Sequence, residues 1–349
     1  MSSRAFVCLI LVLLTTVAAS AAAQPVGLWA SIDAAKSFVG RADRPVVTVT
    51  LGNDSARDLY VVAWQTPLRG VQGNLFDVRR NGEPVAYLGP LVKRAAPRAG
   101  DYLRIPAGDA RSVRVDLAAA YDFSRGGEYT IQYRTALQDA LRDDAPAAID
   151  VTEVASNVAI VAVERDEGAA RFLSEAARHI HDNASTGFVG CSSSRQGSLK
   201  TARANATTIA GKAVDWLAAH EGDSAYTTWF GVFTSSRLSS VQSHFTKIRS
   251  AMANAAVTFD CTCSDSAYAY VYSYDPYTIH LCRAFWSAPA LGTDSKAGTL
   301  VHEMSHFRVV AGTDDWAYGQ NACKNLAKSS PLKAIDNADT HEYYAESRP

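Results

Sequence analysis

An excess of charge of either sign is the first thing this 349-residue chain lacks. Its 34 Lys and Arg face 35 Asp and Glu, a formal net charge of −1. It therefore carries no electrostatic footprint for nucleic acid or an anionic membrane. It also has no long hydrophobic run except the N-terminal "AFVCLILVLLTTVAA". That run is short for a bilayer span. With Arg4 before it and the small residues of "SAAAQ" after it, it reads as a secretory signal over residues 1–23. A secreted, soluble protein is expected, with no membrane attachment once the signal is cleaved. No His precedes His179 and, Cys8 of the signal apart, no Cys precedes Cys191. The N-terminal half shows no catalytic constellation.

The remaining cysteines are Cys191, Cys261, Cys263, Cys282 and Cys323, all in the C-terminal half. In an exported domain these point to disulfides. Cys261 and Cys263 are too close for an easy mutual bridge, so each is expected to pair elsewhere. "CTC" lacks the C-x-x-C spacing of a structural zinc site. Spacing alone leaves three pairings for four cysteines and one cysteine over.

Residues 24 to about 165 read as all-β. "RPVVTVTLGND", "DLYVVAW", "LFDVRRNGEPVAYLG", "SVRVDLAA", "GEYTIQYRT" and "ASNVAIVAVE" alternate or carry β-branched residues, with turns at Asn81-Gly82 and Gly126-Gly127. Short strands with regular turns predict a sandwich. After Glu164 the texture becomes helical. "SLKTARANATTIAGKAVDWLAAH" repeats Ala202, Ile209, Ala213 and Leu217 on one face, and "SSRLSSVQSHFTKIRSAMANA" does so with Leu238, Val241, Phe245, Ile248 and Met252. A short β stretch, "AYAYVYSYDPYTIHLC", interrupts the helices. The fold class expected is α+β: a β-sandwich-like segment over residues 24–185, including a linker, then a mainly helical domain with a small sheet over 186–349.

The chemistry lies in "HEMSHFRVVAGTDDWAYGQ". On a helix His302 and His306 stand on one face and can share a metal ion, and Glu303 beside them can reach a metal-bound water. Two histidines do not complete a catalytic zinc site. A metzincin third ligand is excluded, because Val309 and Gly312 stand where its Gly and His belong. A thermolysin-type Glu from a later helix leaves Glu342 or Glu346. A third choice is an Asp just behind the helix: Gly312 permits a tight turn, Thr313 can tie it by hydrogen bonding, and Asp314 or Asp315 can return to the metal.

"HEMSH" followed by "GTDDWAYG" resembles the aspzincin pattern HExxH with GTxDxxYG, shared by deuterolysins and peptidyl-Lys metalloendopeptidases. The resemblance runs from about Gly187 to the C-terminus and includes "GCSSSRQGSLKTA" and "YTTWFG". It implies one zinc ion held by His302, His306 and Asp315. Glu303 would be general base and Tyr318 an oxyanion donor, while Asp314 sits at a variable position. It also implies disulfides Cys191–Cys261 and Cys263–Cys282, with Cys323 outside the pattern. In "AIDNADTHEYYAESRP" the carboxylates Asp336, Asp339, Glu342 and Glu346 recur at helical spacings, ordinarily the mark of a solvated face. The resemblance to the peptidyl-Lys enzymes instead implies that Asp339 and Glu342 line an S1′ pocket selecting lysine. Broader deuterolysin-like cleavage is the alternative, and a non-catalytic secreted binding protein on a zinc fold a remoter one.

A secreted protease acting on proteins or peptides, with a β-rich segment before it, is expected to be a zymogen cut near Thr186 or Gly187. Its propeptide is expected to act as an intramolecular inhibitor. Having no mature cysteine, that segment cannot latch zinc by a thiol. His179 and His181 could cap the metal but read more simply as linker residues. Asn53, Asn183 and Asn205 begin glycosylation sequons.

Overall fold

The computed structural model describes residues 27–138, 151–164 and 186–348. The signal segment, His179, His181 and Asn183 lie outside the described residues. Residues 27–138 and 151–164 are mainly β-structure whose alternating side chains build one core. Strand Val46–Asn53 pairs antiparallel with Leu28–Ala34 and with Ala110–Asp116. In a second sheet the long strand Gly127–Gln138 pairs with Phe76–Arg80, Ala159–Val163 and Val151–Ala155. Val47, Val49 and Leu51 from the first sheet and Tyr129, Ile131 and Tyr133 from the second are fully buried between them, as the period-2 pattern of both strands predicts. Asn53 does not face solvent. Its Nδ2 donates to the carbonyls of Arg57 and Ile105 at 2.7 and 2.9 Å, which leaves this sequon no room for a glycan in the folded chain.

The C-terminal half carries helices α1 (Ser193–Ala219), α2 (Ser224–Phe230), α3 (Ser235–Asn254), α4 (Arg283–Ser287), α5 (Lys296–His306), α6 (Gln320–Ser329), α7 (Pro331–Ile335) and α8 (Ala338–Glu346). Ser192, Asp223, Thr234 and Ser295 cap α1, α2, α3 and α5, each accepting a first-turn backbone N–H. The apolar stripes read from α1 and α3 are the buried ones: Ala202, Ile209, Ala213 and Leu217 meet Leu238, Val241, Phe245, Ile248 and Met252 in one core. The structure bridges Cys191 to Cys261 and Cys263 to Cys282, and Cys323 is a buried free thiol.

One feature differs from expectation. The sheet of the C-terminal half extends beyond the short β stretch read from the sequence, and it is built from both halves. Its order is Gly187–Val189, Thr258–Asp260, Thr278–Leu281, Ala269–Tyr272 and then Pro90–Lys93. The last strand belongs to the N-terminal half and adds antiparallel to the sheet edge, Lys93 opposite Ala269 and Val92 opposite Tyr270. The acidic tail is not the solvated helical stripe that its spacing alone would ordinarily mark. The chain breaks between α7 and α8 at Asp336 and Asn337, and Asp339 and Glu342 are wholly buried.

Candidate active site

Helix α5 is buried on every side, each residue from Ala297 to His306 lying in the interior. Leu300, Val301 and Met304 fill the core around it. Gly298 has no side chain because α8 passes against it, where a Cβ would collide with the Glu346 carboxylate and crowd Glu342. Four-residue spacing puts His302 and His306 on the face opposite the incoming loop.

That loop is shaped by backbone hydrogen bonds. Gly312 takes the left-handed φ of 66° that an L side chain disfavours. Thr313 N donates to the Ser305 carbonyl at 3.1 Å, and the two hydroxyls pair at 2.6 Å. Asp314 N donates to the Asp336 carbonyl at 2.7 Å, and Ala338 N donates back to the Asp314 carbonyl at 3.0 Å. Asn337 Oδ1 accepts from Trp316 N and Ala317 N at 2.8 and 2.9 Å. The loop is thus held between α5 and the start of α8, with Asp315 pointing back to the histidines.

His302 Nε2 and His306 Nε2 are 3.1 Å apart, and Asp315 Oδ1 is 3.3 and 3.5 Å from them. Ligand atoms about 2.0–2.1 Å from a tetrahedral zinc stand about 3.3–3.4 Å from one another. His306 Nδ1 donates to the Thr313 carbonyl at 2.8 Å, and His302 Nδ1 lies 2.9 Å from Asp339 Oδ1. With His306 Nδ1 so engaged and a carboxylate beside His302 Nδ1, the Nε2 atoms of both rings are left facing the same point. Asp315 Oδ1 faces it too, buried and without a hydrogen-bond partner. Three buried lone pairs converging on one point are favourable only around a cation. Burial works to raise the Asp315 carboxyl, but His306 and His302 beside it outweigh that and hold it below the usual carboxylate range. The donor set, two imidazoles and one carboxylate with a side left open, fits zinc.

The thermolysin-type alternatives lie elsewhere. Glu342 Oε2 is 3.4 Å from His302 Nδ1, on the opposite side of the ring from His306. Glu346 accepts from Ser295 N and Oγ at 2.9 and 2.7 Å. Asp314 points away from the histidines and accepts from Asn74 Nδ2 at 2.7 Å. Glu303 is buried with no side-chain partner for either oxygen, and burial pushes its carboxyl up to about 8. Tyr318 is buried as well. Its N–H and carbonyl bond the Gln138 amide at 3.1 and 2.9 Å, and its ring meets Trp64 edge-on. Burial, reinforced by Asp315, keeps its phenol protonated and so a donor.

A second cluster adjoins this one through Asp339. Lys93, fully buried, places Nζ 2.9 Å from Asp339 Oδ1, 2.8 Å from Glu342 Oε2 and 3.2 Å from Asp294 Oδ1. Asp339 Oδ2 also accepts from Gly319 N at 2.8 Å. The strand that delivers Lys93 runs beside the metal site: Val92 N donates to Asp315 Oδ2 at 3.0 Å. Beyond it, a cavity of about 350 Å³ is bounded by Asn74, Leu91, Ser273, His306 and Asp314. Sequence reading missed Lys93, Asn74, Gln138, Asn337 and Asp294. One signal for Lys93 was present: residues 24–185 contain just two lysines, Lys36 and Lys93, among many arginines.

The model of the aspzincin family, lysine-specific metallo-endopeptidases, matches residues 216–346. An extracellular protease of Aeromonas hydrophila is 38% identical over 325 residues, covering 92% of this chain and 93% of that protein. A peptidyl-Lys metalloendopeptidase of Pleurotus ostreatus is 51% identical over 164 residues, 46% of this chain and 97% of its own length. The solved zinc peptidase of Grifola frondosa is 48% identical, covering 46% of this chain and 98% of that one, with a TM-score of 0.44. On residues matched along almost its whole length, this chain belongs to the aspzincin family and is an extracellular zinc metalloendopeptidase.

Proposed function

We propose that the chain is a zymogen whose mature enzyme, residues 186–349, cuts on the N-terminal side of lysine, and whose segment 24–185 is an inhibitory propeptide. The observation that carries this reading is Lys93. An extended strand added to a sheet edge beside the metal site is how a protease holds a peptide substrate. Here the strand is the chain's own, and the side chain entering the pocket of Asp339 and Glu342 is a lysine. Two buried carboxylates favour an ammonium by charge and exclude apolar or acidic side chains. In this reading the Val92–Lys93 bond is the one presented for cleavage, since Val92 N donates to Asp315 Oδ2 on one side and the Lys93 side chain fills the pocket on the other.

In this reading His302, His306 and Asp315 hold one zinc ion, which when bound makes water a nucleophile at neutral pH and polarises the scissile carbonyl. Glu303 takes the proton from the attacking water and delivers it to the leaving nitrogen, a shuttle suited to a carboxyl poised near neutrality. Tyr318 supplies a hydrogen bond to the oxygen on which negative charge develops. Cleavage near Thr186 or Gly187 falls at the start of strand Gly187–Val189, which pairs with Thr258–Asp260 of the catalytic half.

The test is a mixed peptide library digested by the secreted enzyme with and without a chelator. Products should begin with lysine and should vanish when the metal is stripped. New N-termini without lysine enrichment would sink the specificity, and cleavage indifferent to chelation would sink the zinc mechanism. A second expectation separates the two pocket carboxylates. Asp339→Ala removes a partner of His302 as well as a pocket wall, so zinc affinity should fall about 10–100-fold together with lysine preference. Glu342→Gln, whose carboxylate stands farther from His302 Nδ1 at 3.4 Å, should alter the P1′ profile with a smaller loss of zinc affinity. Chelator competition and P1′ profiling of both variants check this, and equal zinc affinity in the two would refute the division.

A further inference from the structure

The pocket around Lys93 contains a third carboxylate. Asp339 and Glu342 are fully buried at its base, whereas the side chain of Asp294 is 32% exposed and stands at the rim. Asp294 lies in the turn before α5 with a left-handed φ of 51°, a conformation Asp tolerates better than most residues. The turn is fixed from α8: Glu346 accepts from Asp294 N at 3.2 Å and from Ser295 N and Oγ at 2.9 and 2.7 Å. Tyr343, also on α8, donates its hydroxyl to Asp294 Oδ1 at 2.7 Å, the same oxygen that accepts from Lys93 Nζ at 3.2 Å. The Tyr268 and Tyr343 rings flank the ammonium, with centroids 5.6 and 5.1 Å from Nζ. Because α8 holds the Asp294 carboxylate through Tyr343 and its backbone N–H through Glu346, the residue does not depend on Lys93 for its position.

We propose that Asp294 is a specificity-determining residue that completes a three-oxygen cradle for a P1′ ammonium and sets lysine apart from arginine. The inference rests on the reading of Lys93 as occupant of the P1′ pocket. An ammonium is a compact charge with three N–H donors on one nitrogen. Three carboxylate oxygens from three residues surround that single atom at 2.8, 2.9 and 3.2 Å. A guanidinium spreads its donors in a plane across three nitrogens and carries a longer stem. With its central carbon where Nζ now lies, its outer nitrogens would press on the same oxygens. Asp339 and Glu342 supply the attraction for either cation at the base, and Asp294 closes the rim at the depth of a lysine.

The experiment compares Asp294→Asn with wild type, each expressed as the full chain and assayed after secretion, on two peptides differing only in Lys or Arg at P1′. Asn keeps the shape, tolerates the left-handed backbone and can still accept from Tyr343. The expected result is a loss of about tenfold in kcat/KM for the lysine peptide, equivalent to ~1.4 kcal/mol. The loss should be carried mainly by KM, with the arginine peptide unchanged or improved, so that the Lys:Arg ratio falls about tenfold. Asp294→Gly, which adopts the same φ freely, should reproduce the ratio change if the Asn variant folds poorly. A Lys:Arg ratio within twofold of wild type in both variants overturns the assignment. Wild type without lysine preference overturns the P1′ reading itself, and the proposal with it. A wild type that prefers lysine beside variants with an unaltered ratio overturns the role of Asp294 alone.

Discussion

Lys93→Ala is expected to switch on the uncut chain. In the docked state Lys93 is the cation facing Asp339, Glu342 and Asp294, and it is completely buried. Removing one partner of a buried ion pair costs about 3–5 kcal/mol, because the remaining charges are left without compensation. That penalty falls on the docked arrangement alone. Once the strand Pro90–Lys93 leaves the sheet edge, water reaches the pocket and solvates its carboxylates. The substitution therefore shifts the equilibrium toward an open cleft rather than toward an unfolded catalytic half. Full-length Lys93→Ala should cleave a lysine peptide at least about tenfold faster than uncut wild type, since 1.4 kcal/mol is already a factor of ten. Rates are compared at times when gel analysis shows both chains intact. If Lys93 is merely a structural ion pair, the variant will be as silent as wild type and only its melting temperature will fall.

Glu303→Gln should have the opposite outcome. The amide has the shape of the carboxyl and cannot take a proton from water. General acid–base catalysis is worth about 10²–10⁴-fold, and a loss of that size is expected in the processed enzyme. Zinc content should not change, since Glu303 contributes none of the three converging donor atoms. The fold should tolerate the change, because burial already raises this carboxyl to about 8 and the site accommodates a neutral group. Metal analysis and peptide turnover on the same preparation decide the matter. A zinc-loaded variant within tenfold of wild-type turnover would remove Glu303 from the proposed mechanism.

The two variants probe parts of the molecule that were unequally legible in its sequence. His302, Glu303 and His306 lie on one helical turn, so their relative placement follows from helix geometry. Asp315 is nine residues further on, close enough for Gly312 and Thr313 to announce a turn. The buried stripes of α1 and α3 were readable for the same reason: period is a local property. Asp339 and Glu342 looked like a solvated face, and only the resemblance to the peptidyl-Lys enzymes argued otherwise.

Lys93 is different. "GPLVKR" reads as an ordinary short strand, and nothing within it says which sheet it joins. Its pairing with Ala269–Tyr272 is a backbone contact made across more than half the chain, and backbone hydrogen bonds carry almost no side-chain signature. Asn74, which meets Asp314, and Gln138, which brackets Tyr318, are equally remote. Their partners were chosen by the docking of one folded half on the other. Asp294 was near the motif helix in sequence, yet its direction depends on Tyr343 and Glu346 of α8.

By itself, then, the sequence determined an H-E-x-x-H helix with its nearby carboxylate, a β-rich first half and a helical second half, because each of these is written in spacings of a few residues. The tertiary structure alone decided that a strand from the first half lies beside the metal site and buries a lysine among three carboxylates. That arrangement depends on the meeting of surfaces, and the charges it brings together, one buried cation and three carboxylates, come from residues up to about 250 positions apart.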